Sequence, residues 1–163
     1  MREFRYPVLI KWIYRYGNIP VTIIFSLYLL YFAVGIDRNQ LFLIPFGITI
    51  LLIYFLNKYY LNLYKIIPYR IIADEEKIVC DAFLFSDKKI TIKFSDIVSL
   101  SGGIFEGKLS GVMKVCDGQN NACIGFFHRI NDAKILETLL LSKVNRDIYN
   151  SVIDKIKAKQ KGS

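Results

Sequence analysis

IPVTIIFSLYLLYFAVGI (residues 19–36), DRNQ (37–40) and LFLIPFGITILLIYFL (41–56) follow one another in this chain. Neither apolar run holds a charged residue, and the four polar residues between them leave room only for a tight turn. A hydrocarbon core of about 30 Å takes about 20 helical residues, with about 17 near the lower limit. Runs of 18 and 16 residues meet that length if the flanking aromatics sit at headgroup level. The stretch therefore predicts a transmembrane helical hairpin over 19–57 with its turn at 37–40. A re-entrant hairpin that dips without crossing is the alternative. Trp12, Tyr14, Tyr16, Tyr59 and Tyr60 are the expected membrane anchors, with Tyr64 beyond them. Pro20 falls near the start of the first run, where its missing N–H costs little. Pro45 falls in the first turns of the second and becomes a kink if that helix starts earlier.

The 163 residues leave room for one further domain. The hydrophobic fraction of 53% is high for a water-soluble protein, and the excess lies before residue 68. No cleavage site of small residues follows the first run, so that helix is read as retained. Ahead of it stand Arg2, Arg5, Lys11 and Arg15 against Glu3; after the second run come Lys58, Lys65 and Arg70 before any acid. The turn offers Arg38 beside Asp37. Positive charge flanks the cytoplasmic side, so both termini are expected there and the turn outside. Residues 1–18 form a juxtamembrane segment, either a short interfacial helix built on Val8, Leu9, Trp12, Ile13 and Tyr16 or a plain extension.

Of the 22 Lys/Arg and 14 Asp/Glu, 17 and 12 lie from Lys58 onward, so that part carries +5 of the net +8. Basic charge beside an anionic leaflet is favourable; nucleic acid is not an expected partner, because no reader motif accompanies the charge. Cys80, Cys116 and Cys123 are odd in number and spaced like no metal site, which suits a reducing compartment. Cys116 and Cys123 are expected as core thiols on neighbouring strands, with a disulfide between them as the alternative.

After a linker at 58–68 the period changes. Strands are predicted at 69–73 and 77–85, then at 89–94, where Lys89-Ile90-Thr91-Ile92-Lys93-Phe94 alternates polar and apolar. Further strands are predicted around Ile97-Val98, at 112–116 and at 122–127, the last two joined by Asp117-Gly118-Gln119-Asn120-Asn121. A helix capped by Asn131 or Asp132 then carries the stripe Ile135, Leu136, Leu139, Leu140 and Val144. Residues 145–163 read as a basic helical extension of it. Ile148, Val152 and Ile156 would project there as a candidate partner surface, and Lys155, Lys157, Lys159 and Lys161 crowd its end.

Residues 54–144 resemble the bacterial pleckstrin-homology-like (PH-like) domains of small membrane proteins with an N-terminal transmembrane hairpin. The carriers are KITIKF (89–94), SDIVSL (95–100), GGIFEGKLSG (102–111), the strand that follows and the closing helix from Asn131. The resemblance implies a bacterial inner-membrane protein of α+β class. Its domain, at 69–144, would be a seven-stranded, bent antiparallel barrel capped by one helix. It implies binding or assembly and no chemistry. Phosphoinositide-binding relatives use a basic first hairpin, whereas Asp74-Glu75-Glu76-Lys77 is acidic here. That leaves Lys88, Lys89 and Lys93 as candidate contacts for anionic lipid or a partner, or as ordinary solvated lysines.

Chemistry-bearing motifs do not emerge. His128 alone cannot build a metal site, and no carboxylate is spaced to recruit it. Ser101-Gly102-Gly103 lacks the Gly-Lys-Ser/Thr ending of a phosphate loop. Gly-x-Ser-x-Gly and His-Glu-x-x-His do not occur. No cofactor, metal or catalytic residue is expected, and transport is not expected from apolar spans without charge. Gly35, Gly47 and Ala33 offer close approach to neighbouring helices, without a Gly-x-x-x-Gly motif. The expectation is a non-enzymatic accessory or scaffolding subunit that binds membrane lipids and other membrane subunits. A lipid-surface module and a homo-oligomeric scaffold are the alternatives.

Overall fold

A computed structural model describes residues 1–37, 39–84 and 86–161, Lys161 by its backbone alone. Arg38, expected in the turn, and Phe85, expected at the end of a strand, lie outside the described residues. The chain is α+β and divides into two compact units, Lys11–Tyr64 and the combination of Met1–Ile10 with Lys65–Ser163.

The second of these is the β unit. β1 (Arg2–Arg5), β2 (Arg70–Ala73), β3 (Lys77–Asp81) and β4 (Ile90–Lys93) form an antiparallel sheet in that order. β5 (Ile97–Ser101), β6 (Val112–Asp117) and β7 (Cys123–Phe127) form a second antiparallel sheet. The two sheets do not close into the barrel that the resemblance implied. Alternation puts alternate residues on opposite faces, and the register turns this into rows. Phe4, Ile71, Cys80 and Ile90 lie side by side and are buried, as are Ala73, Ile78 and Ile92. Leu100, Val115 and Ile124 make the matching row of the second sheet, with Met113 opposite Phe126. Fully burying side chains of this size stabilises the fold by about 1.5–3 kcal/mol each.

Met1–Ile10 is not the separate juxtamembrane segment expected. Arg2-Glu3-Phe4-Arg5 holds too few apolar residues to show alternation, yet Phe4 is 1% exposed against Ile71. The Tyr6 hydroxyl accepts the Phe127 N–H at 2.8 Å, and the Arg5 carbonyl accepts the Asn131 N–H at 3.0 Å. The N-terminal strand is thereby tied to the end of β7.

Two helices close this unit, where one continuous helix was expected. α4 (Ala133–Lys143) buries Leu136 and Leu140. It is preceded by Asp132 at φ 55°, whose carbonyl, not its side chain, accepts the Ile135 and Leu136 N–H groups. Val144 is extended, and the Asn145 carbonyl accepts the Tyr149 N–H as α5 (Arg146–Lys161) begins. Against expectation α5 does not project. It packs on β5 and on the 3-10 turn Gly103–Glu106, with Val152 1% exposed and Ile148 and Ile156 half-buried. That turn is held by Gly102 at φ 73°, where a Cβ would stand 2.1 Å from the Val112 carbonyl oxygen, so only glycine fits.

The other unit is helical. α2 (Asn18–Ile36) and α3 (Leu43–Ile66) match the two apolar runs, with a 3-10 turn at Gln40–Phe42 between them. α3 continues through most of the expected 58–68 linker, because Asn57 and Lys58 end the apolar run without breaking the helical ladder. α1 (Val8–Tyr16) precedes α2, interrupted only at Gly17. Pro20 explains the interruption: it has no N–H to offer the Tyr16 carbonyl four residues back.

Candidate functional site

The helical unit is turned inside out relative to a soluble core. Both helices are long and apolar enough to cross a membrane, and the most apolar windows are 0% buried in α2 and 6% in the segment Gln40–Ile66. Leu27, Leu30, Val34, Ile44 and Phe55 are each more than half exposed. Polar side chains meet between α2 and α3. Asn18 Nδ2 donates to Asn57 Oδ1 at 2.9 Å. Asn57 Nδ2 donates to Thr22 Oγ1 at 3.0 Å and to the Ile53 carbonyl at 2.9 Å. The Tyr64 hydroxyl lies 2.8 Å from both Asn18 Oδ1 and the Arg15 carbonyl. This knot joins α1, α2 and α3 at the open end of the hairpin. Sequence reasoning missed it; the only signal was a pair of asparagines, Asn18 and Asn57, at the outer ends of the two apolar runs.

The expected anchors gather at the same end. Trp12 and Tyr16 on α1 pack with their rings tilted, 4.9 Å between centroids. Tyr59, Tyr60 and Tyr64 form a chain on α3 at 6.0 and 5.9 Å. Gly17 makes the approach of α3 feasible, since a Cβ there would stand 2.8 Å from the Tyr60 hydroxyl. Tyr14 shares α1, half-buried. The closed end has its own aromatic cluster of Tyr28, Tyr31, Phe32 and Phe42, which the sequence reading did not single out. Gly35, expected to receive a neighbouring helix, receives Phe42 of its own hairpin. Gly47 faces open space.

Within the β unit, Lys88, Lys89 and Lys93 are all exposed, and Lys93 lies directly opposite Lys77 across β3 and β4. The outward face of the first sheet continues with an ion-pair chain. Arg70 clasps Asp81 through Nε at 2.8 Å and Nη2 at 2.6 Å, and Arg5 holds Glu3 at 2.6 Å. The acidic hairpin is a turn device. Asp74 Oδ1 accepts the Glu76 and Lys77 N–H groups, and these bonds hold its pKa below the ordinary value. At Asp117, burial pushes the carboxyl upward. Hydrogen bonds from the Asn120 side chain and the Gln119 and Asn120 N–H groups outweigh it, and the net shift is downward.

Two expectations about reactive groups are corrected here. Cys116 and Cys123 are joined by a disulfide. They are register partners across β6 and β7, and Cys123 is exposed rather than in the core. The cysteine argument for a reducing compartment therefore falls away. Cys80 is a buried free thiol whose pKa is driven up by desolvation and by neighbouring Asp81. His128 does find a carboxylate: its Nδ1 lies 2.7 Å from Glu137 Oε1 on α4, and Glu137 is buried. The pair ties the end of β7 to α4. Among the described residues no group of three His, Cys, Asp or Glu could hold a metal ion. No family model, curated protein or solved structure matches the chain.

Proposed function

We propose that this chain is a non-enzymatic membrane-anchored module, whose hairpin sits in a bilayer and whose β unit serves as a binding surface for a larger membrane assembly. One observation carries the reading: the apolar surface of α2 and α3 is uncovered while their polar side chains face one another. Water would leave that surface at a large hydrophobic cost, whereas lipid removes the cost and favours the internal pairing of Asn18, Asn57 and Thr22. The basic residues on both flanks support cytoplasmic termini at an inner membrane. Six antiparallel strands within 70–127, extended by the N-terminal β1 and with helices beside them, support a PH-like kinship for the β unit without a closed barrel. The exposed Lys77 and Lys93 pair favours a second reading, in which the β unit meets anionic headgroups.

Extraction of the chain from its own membrane in mild detergent, followed by native mass measurement, tests the proposal. A stoichiometric second polypeptide is the expected result. A single-chain species holding only lipid contradicts the accessory-subunit reading, and its release by alkaline carbonate, without detergent, contradicts the anchoring itself.

A further inference from the structure

We propose that the junction of α1 and α2 is a binding site for one anionic phospholipid; the inference rests on the anchoring proposed above. An open, apolar groove of about 500 Å³ is lined there by Trp12, Ile13, Tyr16, Gly17, Ile19 and Pro20. That size falls within the roughly 300–1,000 Å³ of small-ligand clefts.

The groove is built by the backbone. Pro20 interrupts the helix and brings no N–H to the wall. Gly17 keeps the wall open, because a Cβ there would meet the Ile13 carbonyl oxygen at 2.5 Å and the Tyr60 hydroxyl at 2.8 Å. The knot of Asn18, Asn57 and Tyr64 fixes α1 and α2 against α3. The lining is thus positioned by bonds that lie outside it.

Charge decides the occupant. Lys11 and Arg15 are four residues apart and so share a face of α1. The Arg15 guanidinium carbon lies 5.5 Å from the centre of the Tyr16 ring, which itself lines the groove. An apolar slot lined in part by Ile19 and Pro20 of α2, with the Arg15 guanidinium beside its Tyr16 wall, matches an acyl chain beneath a phosphate. A partner helix would fill the slot equally well but would have no use for the two charges unless it carried acids of its own.

Trp12 is the single tryptophan of the chain and lines the groove, so its fluorescence reports the occupant directly. The full chain is reconstituted in phosphatidylcholine bilayers. Acyl-brominated phosphatidylglycerol or acyl-brominated phosphatidylcholine is then titrated in at equal mole fraction. The expected result is quenching by both, with apparent affinity for the anionic lipid at least about five-fold higher, as one well-placed cation supplies. In the double variant Lys11→Gln, Arg15→Gln the preference disappears while quenching persists. Lys134→Gln, on α4, leaves the preference intact.

Equal quenching by the two lipids in the unaltered chain overturns the site and leaves the anchoring standing. Absence of quenching by either lipid also overturns the site, and carbonate extraction of the same sample then shows whether the anchoring stands. A preference that survives the double variant also overturns the site, because the charge is then read elsewhere.

Discussion

Leu30 and Ile92 are similar apolar side chains in opposite circumstances. Leu30, in α2, is 67% exposed, whereas Ile92, in β4, is 0% exposed. The difference runs through the two units. In the β unit the register gathers apolar residues into inward rows, and charges such as Arg5, Arg70 and Asp81 stand outside. In the hairpin large apolar residues such as Leu27, Leu30 and Phe55 stand outside, and Asn18, Thr22 and Asn57 meet within. On the anchoring proposed above, each unit follows from the same physics under a different solvent. Where water surrounds the chain, apolar burial holds it together. Where lipid surrounds it, packing and internal hydrogen bonds remain.

The largest test of that contrast is a pair of core substitutions. Phe126→Ala in the β unit is expected to cost about 3–5 kcal/mol and Ile92→Asp about 4 kcal/mol or more. Leu30→Ala, in detergent or bilayer, is expected to change stability by less than about 0.5 kcal/mol. Chemical denaturation followed by circular dichroism measures all three, and a large loss from Leu30→Ala would break the comparison. Next comes Asn57→Leu, which removes the centre of the polar knot. In a bilayer it is expected to cost about 0.6–1.7 kcal/mol of helix–helix association, read by unfolding of the hairpin in graded SDS. A gain in stability would show that the knot is not what holds α2 to α3.

A smaller effect sharpens the picture of the β unit from its thiols. The unreduced protein is expected to show no maleimide labelling. After mild reduction Cys123 labels rapidly, while Cys80 remains protected until the unit unfolds. Peptide mass mapping separates the sites. The mildest effect is acid sensitivity. Asp74 and Asp117 are held below the ordinary value of 3.8. Their contribution is fully present above that value and is lost as pH falls through the lower folded-state values. The turns at 74–76 and 117–121 are therefore expected to loosen below about pH 4, and Asp117→Asn to flatten that dependence, as hydrogen exchange at Gln119 and Lys77 would show.

How much of this was legible in the sequence follows the same division. The hairpin was readable because uninterrupted apolar composition needs no partner to be recognised. β4 was readable because Lys89-Ile90-Thr91-Ile92-Lys93 carries its own alternation. β1 was not, since its one apolar residue acquires meaning only through Ile71, 67 residues further on. The length of α3 was hidden by Asn57 and Lys58, which end a hydropathy pattern but not a hydrogen-bond ladder. The burial of α5 was hidden because an amphipathic face does not announce what covers it; β5 and the Gly103–Glu106 turn do. The expected anchors Trp12, Tyr14, Tyr16, Tyr59 and Tyr60 stand on α1 and on the later turns of α3. The groove beside them depends on Gly17 and Pro20 acting together, which no single motif records.

The central claim is that Lys11–Tyr64 faces lipid and the β unit faces water. Labelling of the full chain in its native membrane with an apolar photoactivated carbene, mapped residue by residue, tests it most directly. The account predicts heavy insertion across residues 19–56, concentrated on exposed positions such as Leu27, Leu30 and Phe55, and little across 70–144. Labelling confined to the β unit, or absent from the hairpin, would contradict it.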